Sequence, residues 1–407
     1  MICRNTFTHV VMLCSFFFIY TELSNSNKLK CFIFKVPVPD IVNFVIDEHI
    51  KNKHYSEEQK SLYQVLRNIM TYTRPFQHYV YHNENIVDIK FLKKMRIFDY
   101  NNEESLFTNF INTIDSRMSH TGQLARCLIM CFPNTNLQVL TDRQKVIRVL
   151  STDSAQQLYE SLDAYKRIEK DFIALFGDDR DIDTLSYDEI LGKLQVLQKI
   201  ILLLQDINTT ISSNAKLKKV LLKHTKSFRV IFNRYLVGDK FYDIMYYLVK
   251  KRIVRRLLFR NNGFNKKILM TFKNYEQLFF SIVHELGNME ILMNIAKAVD
   301  NDKKRLTTVT FLDRTLKSTP YVNIDKMTNY IDESVMSSNN ISFKVPQSGL
   351  YSIVVPSTAT PENICHVKNV FLNVYMGQIF GISFSKKCVL TPFNKISTSK
   401  LNTQTVI

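Results

Sequence analysis

Between Ile190 and Ile207 the apolar side chains return every three or four positions, with Leu191, Leu194, Leu197, Ile200, Ile201 and Leu204 close to a helical period. A stripe kept over that many turns folds as a long amphipathic helix, which must bury the stripe against other helices. The segment Glu57–Tyr72 repeats the pattern with Leu62, Val65, Leu66 and Ile69. Only 9 glycines and 9 prolines punctuate 407 residues, so tight turns are scarce. The pattern predicts a mainly α fold.

At this length, with 45% apolar residues, the chain can bury a large core and is expected to form two or three structural units. A net charge of +17 favours a polyanionic partner, either nucleic acid or an anionic membrane surface. Charge alone does not choose between them. Cys3, Cys14, Cys31, Cys127, Cys131, Cys365 and Cys388 are odd in number and scattered, which fits neither a disulfide framework nor a zinc site. Cys127 and Cys131 lie one helical turn apart and read as buried thiols on an apolar face. The histidines are dispersed, and neither Gly-x-Ser-x-Gly nor His-Glu-x-x-His occurs. The acidic run from Asp178 to Asp183 lacks the glycine and glutamate of a calcium loop and reads as a solvated turn between helices.

At the amino terminus, Arg4 precedes the apolar run Val10–Tyr20 and polar Ser24–Asn27 follows, the layout of a secretory signal peptide. The run is short for a bilayer span. Sequons at Asn208 and Asn340 suit secretion, whereas the odd cysteine count and the missing small-x-small site speak against it. Residues 1–27 therefore read as a signal or anchor segment or as a remnant, and 28–55 as the remnant of an upstream domain. The expected compartment is nuclear or cytoplasmic, with the secretory pathway as the alternative.

A further block has its own order. It runs from Ser105-Leu106-Phe107 through Asp115, then Ser119-His120-Thr121-Gly122, Leu128 to Pro133, and Leu140-Thr141-Asp142-Arg143. Upstream stand Asp88 and Met95-Arg96-Ile97; downstream, Leu286 to Ala296 includes Met289-Glu290-Ile291-Leu292. In order and spacing these segments resemble the core, or lever, domain of the MutS family of DNA mismatch-recognition proteins. Leu124 stands where that family has a basic residue, and the chain has no tryptophan.

The resemblance implies a lever of long helices over 56–304, with a shortened or absent clamp around 216–275. It also implies a truncated, degenerate ATPase domain over 305–407, giving a mainly α fold class: a long-helix core followed by a partial α/β P-loop-like domain. Pro320 and the segment Ser338–Ser342 are similar to the opening of the family's nucleotide domain. Gly377–Phe380 and Pro392–Thr398 fall in register with its later segments. The resemblance places vestigial nucleotide contacts at Asn339, Asn340, Pro356 and Asn363. A phosphate cradle needs glycine, lysine and a hydroxyl, yet Tyr351–Cys365 contains neither Gly nor Lys. No acidic strand that would hold magnesium follows before Ile407, so ATP hydrolysis is not expected.

DNA contact is expected from Lys250, Lys251, Arg252, Arg255, Arg256, Arg260, Lys266 and Lys267, a basic segment interleaved with Tyr246, Tyr247 and Phe259. The same segment also reads as a solvated helix face with Ile253, Val254, Leu257 and Leu258 packed inward, and the two readings are compatible. The expected protein binds DNA or a second MutS-like chain. It takes no small-molecule substrate, metal or cofactor, and ATP with magnesium only if vestigial binding persists. A secreted or membrane-tethered helical interaction protein on the same scaffold is the alternative.

Overall fold

The computed structural model describes residues 38–53, 55–71, 73, 86–98, 105–177, 180–232, 262–302, 305–313, 321–328, 341–345 and 361–397. In chain order the described helices are α1 (Asp40–Asn52), α2 (Glu57–Thr71), α3 (Ile89–Lys94), α4 (Leu106–Arg117), α5 (His120–Cys131), α6 (Leu137–Leu150), α7 (Gln156–Ala174), α8 (Tyr187–Ser213), α9 (Ala215–Leu221), α10 (Lys226–Ile231), α11 (Asn262–Asn274), α12 (Glu276–Asn301) and α13 (Pro361–Phe380). Short strands join the last two: β1 (Thr307–Thr308), β2 (Thr310–Phe311), β3 (Val322–Met327) and β4 (Ile341–Val345), followed after α13 by β5 (Ile382–Ser383) and β6 (Ser385–Leu390). The protein is mainly helical, with small sheets.

Local chemistry starts these helices where the sequence supplies an acceptor. The side chains of Asp88, Ser105, Ser119, Asn136 and Asn214 each accept a backbone N–H of the following first turn. At α8 the arrangement is reciprocal: Ser186 accepts from Glu189 N and the Glu189 carboxylate accepts from Ser186 N. That box opens a helix of 27 residues, about 40 Å at 1.5 Å per residue. Of its expected stripe, Leu194, Leu197, Ile200, Ile201 and Leu204 are buried and Leu191 is half-buried, with Ile190 buried beside them, and α8 packs along α7. Each such side chain contributes roughly 1.5–3 kcal/mol by leaving water.

Helix α12 is the axle of the core. Its residues Ile282–Gly287 and Met289–Ala296 are buried, so it has no solvent stripe and shows little amphipathic character. It crosses α5 at two glycines. A Cβ on Gly287 would lie 2.8 Å from Ala125 Cβ and 3.0 Å from the Thr121 carbonyl oxygen, while one on Gly122 would run into the Glu290 carboxyl. The closeness of this crossing explains why glycine stands at both positions. Helix α1, within the segment expected to be an upstream remnant, packs on α5 with Val42, Val45 and Ile46 fully buried. Pro37–Ile407 forms one compact unit.

Beyond α12, strand order in the larger sheet is β2-β6-β3-β4, with β2 parallel to β6 and β3 antiparallel to both its neighbours. Strands β1 and β5 form a separate antiparallel pair. The register of β3 against β4 shifts between Ile324 and Met327, where Lys326 takes a φ of 53°. Small sheets therefore follow the helices, and among the named strands described the β2–β6 pair is the parallel one. The apolar run Leu350–Val355, which reads in sequence as a buried strand, lies outside the described residues. An isolated parallel bridge joins Val87 to Ile396.

The two parts are joined by buried polar side chains on backbone groups. Arg143, a buried residue, donates to the Ile379 carbonyl at the C-terminal end of α13, where a cation meets the negative end of the helix. Burial lowers its pKa to about 10, which leaves the guanidinium charged at neutral pH. Gln144 donates to the Val309 and Gly381 carbonyls at 2.7 and 2.8 Å. Gly381 closes α13 with a φ of 72°, a conformation that favours glycine. From the other side, the Tyr375 hydroxyl donates to Met130 O at 2.6 Å, and Gln378 exchanges two hydrogen bonds with the Phe393 backbone.

Candidate nucleic-acid interface

Of the eight basic residues expected to contact DNA, Lys250, Lys251, Arg252, Arg255, Arg256 and Arg260 lie outside the described residues. Lys266 and Lys267 stand on α11, which packs on α8 and buries Ile268, Leu269 and Phe272. Lys267 is exposed. Lys266 instead turns to the loop before α8, where its ammonium lies 2.9 Å from the Asp183 carboxylate. Its side chain is only 25% exposed, so its charge is partly committed within the protein. The Asp178–Asp183 run does form a turn between helices over its described part: Asp181 caps a short 3-10 turn, Ile182 is buried and Arg180 pairs with Glu189.

A second basic set, which carries no recognisable motif, stands at the opposite end of α8. Lys216, Lys218, Lys219, Lys223 and Lys226 are exposed, while Leu217 and Leu221 between them are buried and hold α9 against α6 and α8. Lys223 pairs with Asp142 at 3.0 Å. The sequence signal for this set is an acid-free run: no Asp or Glu occurs from Ile207 to Gly238. Exposed lysines on a docked helix can meet phosphates without disturbing the core, an interaction blind to base sequence.

Of the vestigial nucleotide contacts, Asn339, Asn340 and Pro356 lie outside the described residues, and Asn363 falls in the first turn of α13. That helix begins at Pro361, a position where the missing N–H costs the helix nothing but removes a donor from any phosphate cradle. Glu362 adds negative charge beside it. With no lysine in this stretch, these residues do not fit a triphosphate and its magnesium.

Beneath these surfaces lie buried carboxyl sites that position the helices. Asp115 on α4 takes the Arg126 guanidinium through both oxygens, at 2.7 and 2.9 Å, and the Lys53 ammonium at 2.7 Å. Burial would raise its pKa, but Arg126 and Lys53 outweigh burial and hold the carboxyl below its ordinary value. Alongside, His49, Tyr55, Tyr63 and Gln123 share hydrogen bonds, and burial pushes the His49 pKa down to about 3. At the start of α5, Glu290 accepts from the Ser119 backbone and hydroxyl, and Glu169 accepts from His120 N and Thr121 N. Burial, helped by Glu169, raises the Glu290 pKa to about 8. Glu285 similarly accepts from Ser227 N and Oγ at the start of α10. Two segments far apart in the chain, Ser119–Gly122 and Leu286–Ala296, thus meet directly.

Among the described residues no group of three or more His, Cys, Asp or Glu is placed to hold a metal ion. Cys127 and Cys131 are buried thiols, as their spacing implied. No described helix is long and apolar enough to cross a membrane. No protein-family model matches this chain, and no curated protein matches it significantly.

Proposed function

We propose that this chain is a MutS-like DNA-binding protein of the mismatch-repair type, which holds duplex DNA through its backbone and does not hydrolyse ATP. The observation that carries the proposal is the exposed, acid-free lysine set from Lys216 to Lys226 on a chain of net charge +17. Further support comes from the residues that carry the family resemblance. Gly122 and Glu290 meet at one helix crossing, and Arg143 ties the helical core to α13. These are contacts that a mechanical arm would use to keep its helices in register. The proline and glutamate opening α13, with no lysine nearby, support a protein without ATPase activity.

Fluorescence anisotropy of a labelled duplex against the full chain, repeated across salt concentrations, tests the proposal. Affinity is expected to fall linearly on a log–log plot, and combined Lys216→Glu, Lys218→Glu and Lys219→Glu changes should flatten the slope by about 1 for each phosphate no longer neutralised. Because Leu217 and Leu221 carry the docking of α9, these substitutions leave its packing intact. Salt-independent binding, or a triple variant with an unchanged slope, overturns the lysine assignment. The pair Arg255→Glu and Arg256→Glu, measured beside it, shows which basic set dominates. Turnover of radiolabelled ATP above background overturns the inactive-site claim.

A further inference from the structure

Away from the basic ends of α8, the last turn of α4, the middle of α7 and the second half of α12 enclose a cleft of about 310 Å³. Its rim carries Arg117, Lys166 and Lys297, each from a different helix. Lys166 is anchored by donating to the Ser116 carbonyl at 2.9 Å. Lys297 lies 3.8 Å over the Tyr159 ring, which is itself fixed by a 2.8 Å hydrogen bond from its hydroxyl to Met293 O. Arg117 makes no ion pair among the described residues, and its charge helps depress the Lys297 pKa after the larger effect of burial. Among the described residues that line the cleft, Asp163 is the one exposed carboxylate. The other acid in the wall, Glu290, is buried and holds its proton at neutral pH. Three cations against one carboxylate leave an excess of two positive charges in a concave site. Like charges gathered from three helices repel one another, and a bound dianion relieves that repulsion.

We propose that this cleft binds a phosphate monoester, with Arg117, Lys166 and Lys297 taking the phosphate oxygens and Asp163 accepting a hydroxyl of the attached sugar. A monoester carries close to two negative charges at neutral pH, because its second pKa is near 6. A phosphodiester or a carboxylate carries one and leaves half the excess unmet. The site is therefore chemically distinct from a surface that follows the DNA backbone, and it stands or falls without the DNA reading. Its volume is at the small end of ligand sites, about right for a phosphorylated pentose.

Calorimetric titration of the full chain with ribose 5-phosphate, ribose and dimethyl phosphate tests the assignment. Ribose 5-phosphate is expected to bind, ribose not to, and the diester to bind at least about tenfold more weakly, a difference of about 1.4 kcal/mol. Arg117→Gln and Lys297→Gln should each weaken ribose 5-phosphate about tenfold while leaving the far-ultraviolet circular dichroism unchanged, as charge-assisted hydrogen bonds of this kind predict. Asp163→Asn should instead tighten inorganic phosphate, a gain that no loss of folding produces. A 5′-phosphorylated oligonucleotide that competes where its unphosphorylated twin does not places the monoester on a strand end; a failure to compete while ribose 5-phosphate binds places it on a free metabolite. Absence of binding up to about 10 mM ligand, or equal affinity in the Gln variants, overturns the proposal.

Discussion

Asp115 and Glu290 are both buried carboxyls within the same set of helices, yet their surroundings move their pKa values in opposite directions. Asp115 meets a guanidinium and an ammonium at 2.7 Å and stays ionised. Glu290 accepts from Ser119 and abuts Gly122, and burial with the charge of Glu169 raises its pKa to about 8. Burial acts on both in the same direction, so the difference comes from what each helix brings within hydrogen-bonding distance. One site is an ion cluster that locks α1, α4 and α5 together; the other is a neutral contact that lets α5 and α12 approach at two glycines.

The sharpest way to break this contrast is Asp115→Ala. It strands the Arg126 guanidinium in the core and is expected to cost about 3–5 kcal/mol, read as a lower midpoint in urea denaturation. Replacing the pair together, Asp115→Leu with Arg126→Met, should recover much of that loss, since no unpaired charge remains. A double variant as unstable as the single one would show that the ions organise the helices beyond their own pairing.

Next in size is the neutral site's packing. Gly287→Ala places a methyl group 3.0 Å from a backbone carbonyl, which cannot swing aside as a side chain can. An expected loss of roughly 1–3 kcal/mol follows from overpacking, measured in the same denaturation experiment. By comparison, Gly192→Ala on α8 meets nothing within 4 Å and should stabilise the helix by up to about 1 kcal/mol. If both changes act alike, the closeness of the α5–α12 crossing is not what glycine serves.

Ionisation of Glu290 gives a smaller effect over the range accessible near neutrality. Its folded pKa of about 8 lies above the ordinary 4.5, so its stabilising contribution is complete below pH 4.5 and is lost as pH rises through 8. Between pH 7 and 8 the loss is about 1 kcal/mol, bounded by 1.4 kcal/mol per unit. Glu290→Gln should flatten that alkaline decline. On the acid side, His49 and His284, depressed from 6.5 to about 3 and about 4 by burial, contribute stability that is present above pH 6.5 and lost as pH falls through those values. Thermal melts across pH should therefore peak near pH 6–7.

How much of this is legible in the sequence differs between the same two sites. The spacing of Leu62, Leu66 and Ile69, and of Ile190 to Leu204, marks α2 and the core of α8 because a buried stripe leaves a countable period. Ser105 marks the start of α4 for an equally local reason. Periodicity is weak at α12, since a helix buried on every side has no polar face to alternate with. Pairings such as Asp115 with Lys53, or Ser119 with Glu290, depend on crossings between helices far apart in sequence, and no local pattern encodes them. The lysine set at Lys216–Lys226 shows only as a run without acids, a fainter signal than the denser basic segment downstream of it.

Surface pairing gives the smallest expected effect, and it bears on DNA contact. Lys266 pairs with Asp183 at 2.9 Å, whereas Lys267, one residue on, is exposed to solvent. Exposed pairs of this type are worth about 0–1 kcal/mol, so Lys266→Gln should shift the melting temperature little. The two lysines should still separate in duplex binding. An ammonium already neutralised by Asp183 releases fewer counterions, so Lys267→Gln should reduce the salt slope of binding more than Lys266→Gln does. Equal slopes for the two variants would mean that the Asp183 pair opens when DNA arrives. Asp183→Asn, by removing the pair that Lys266 must leave, should then strengthen binding.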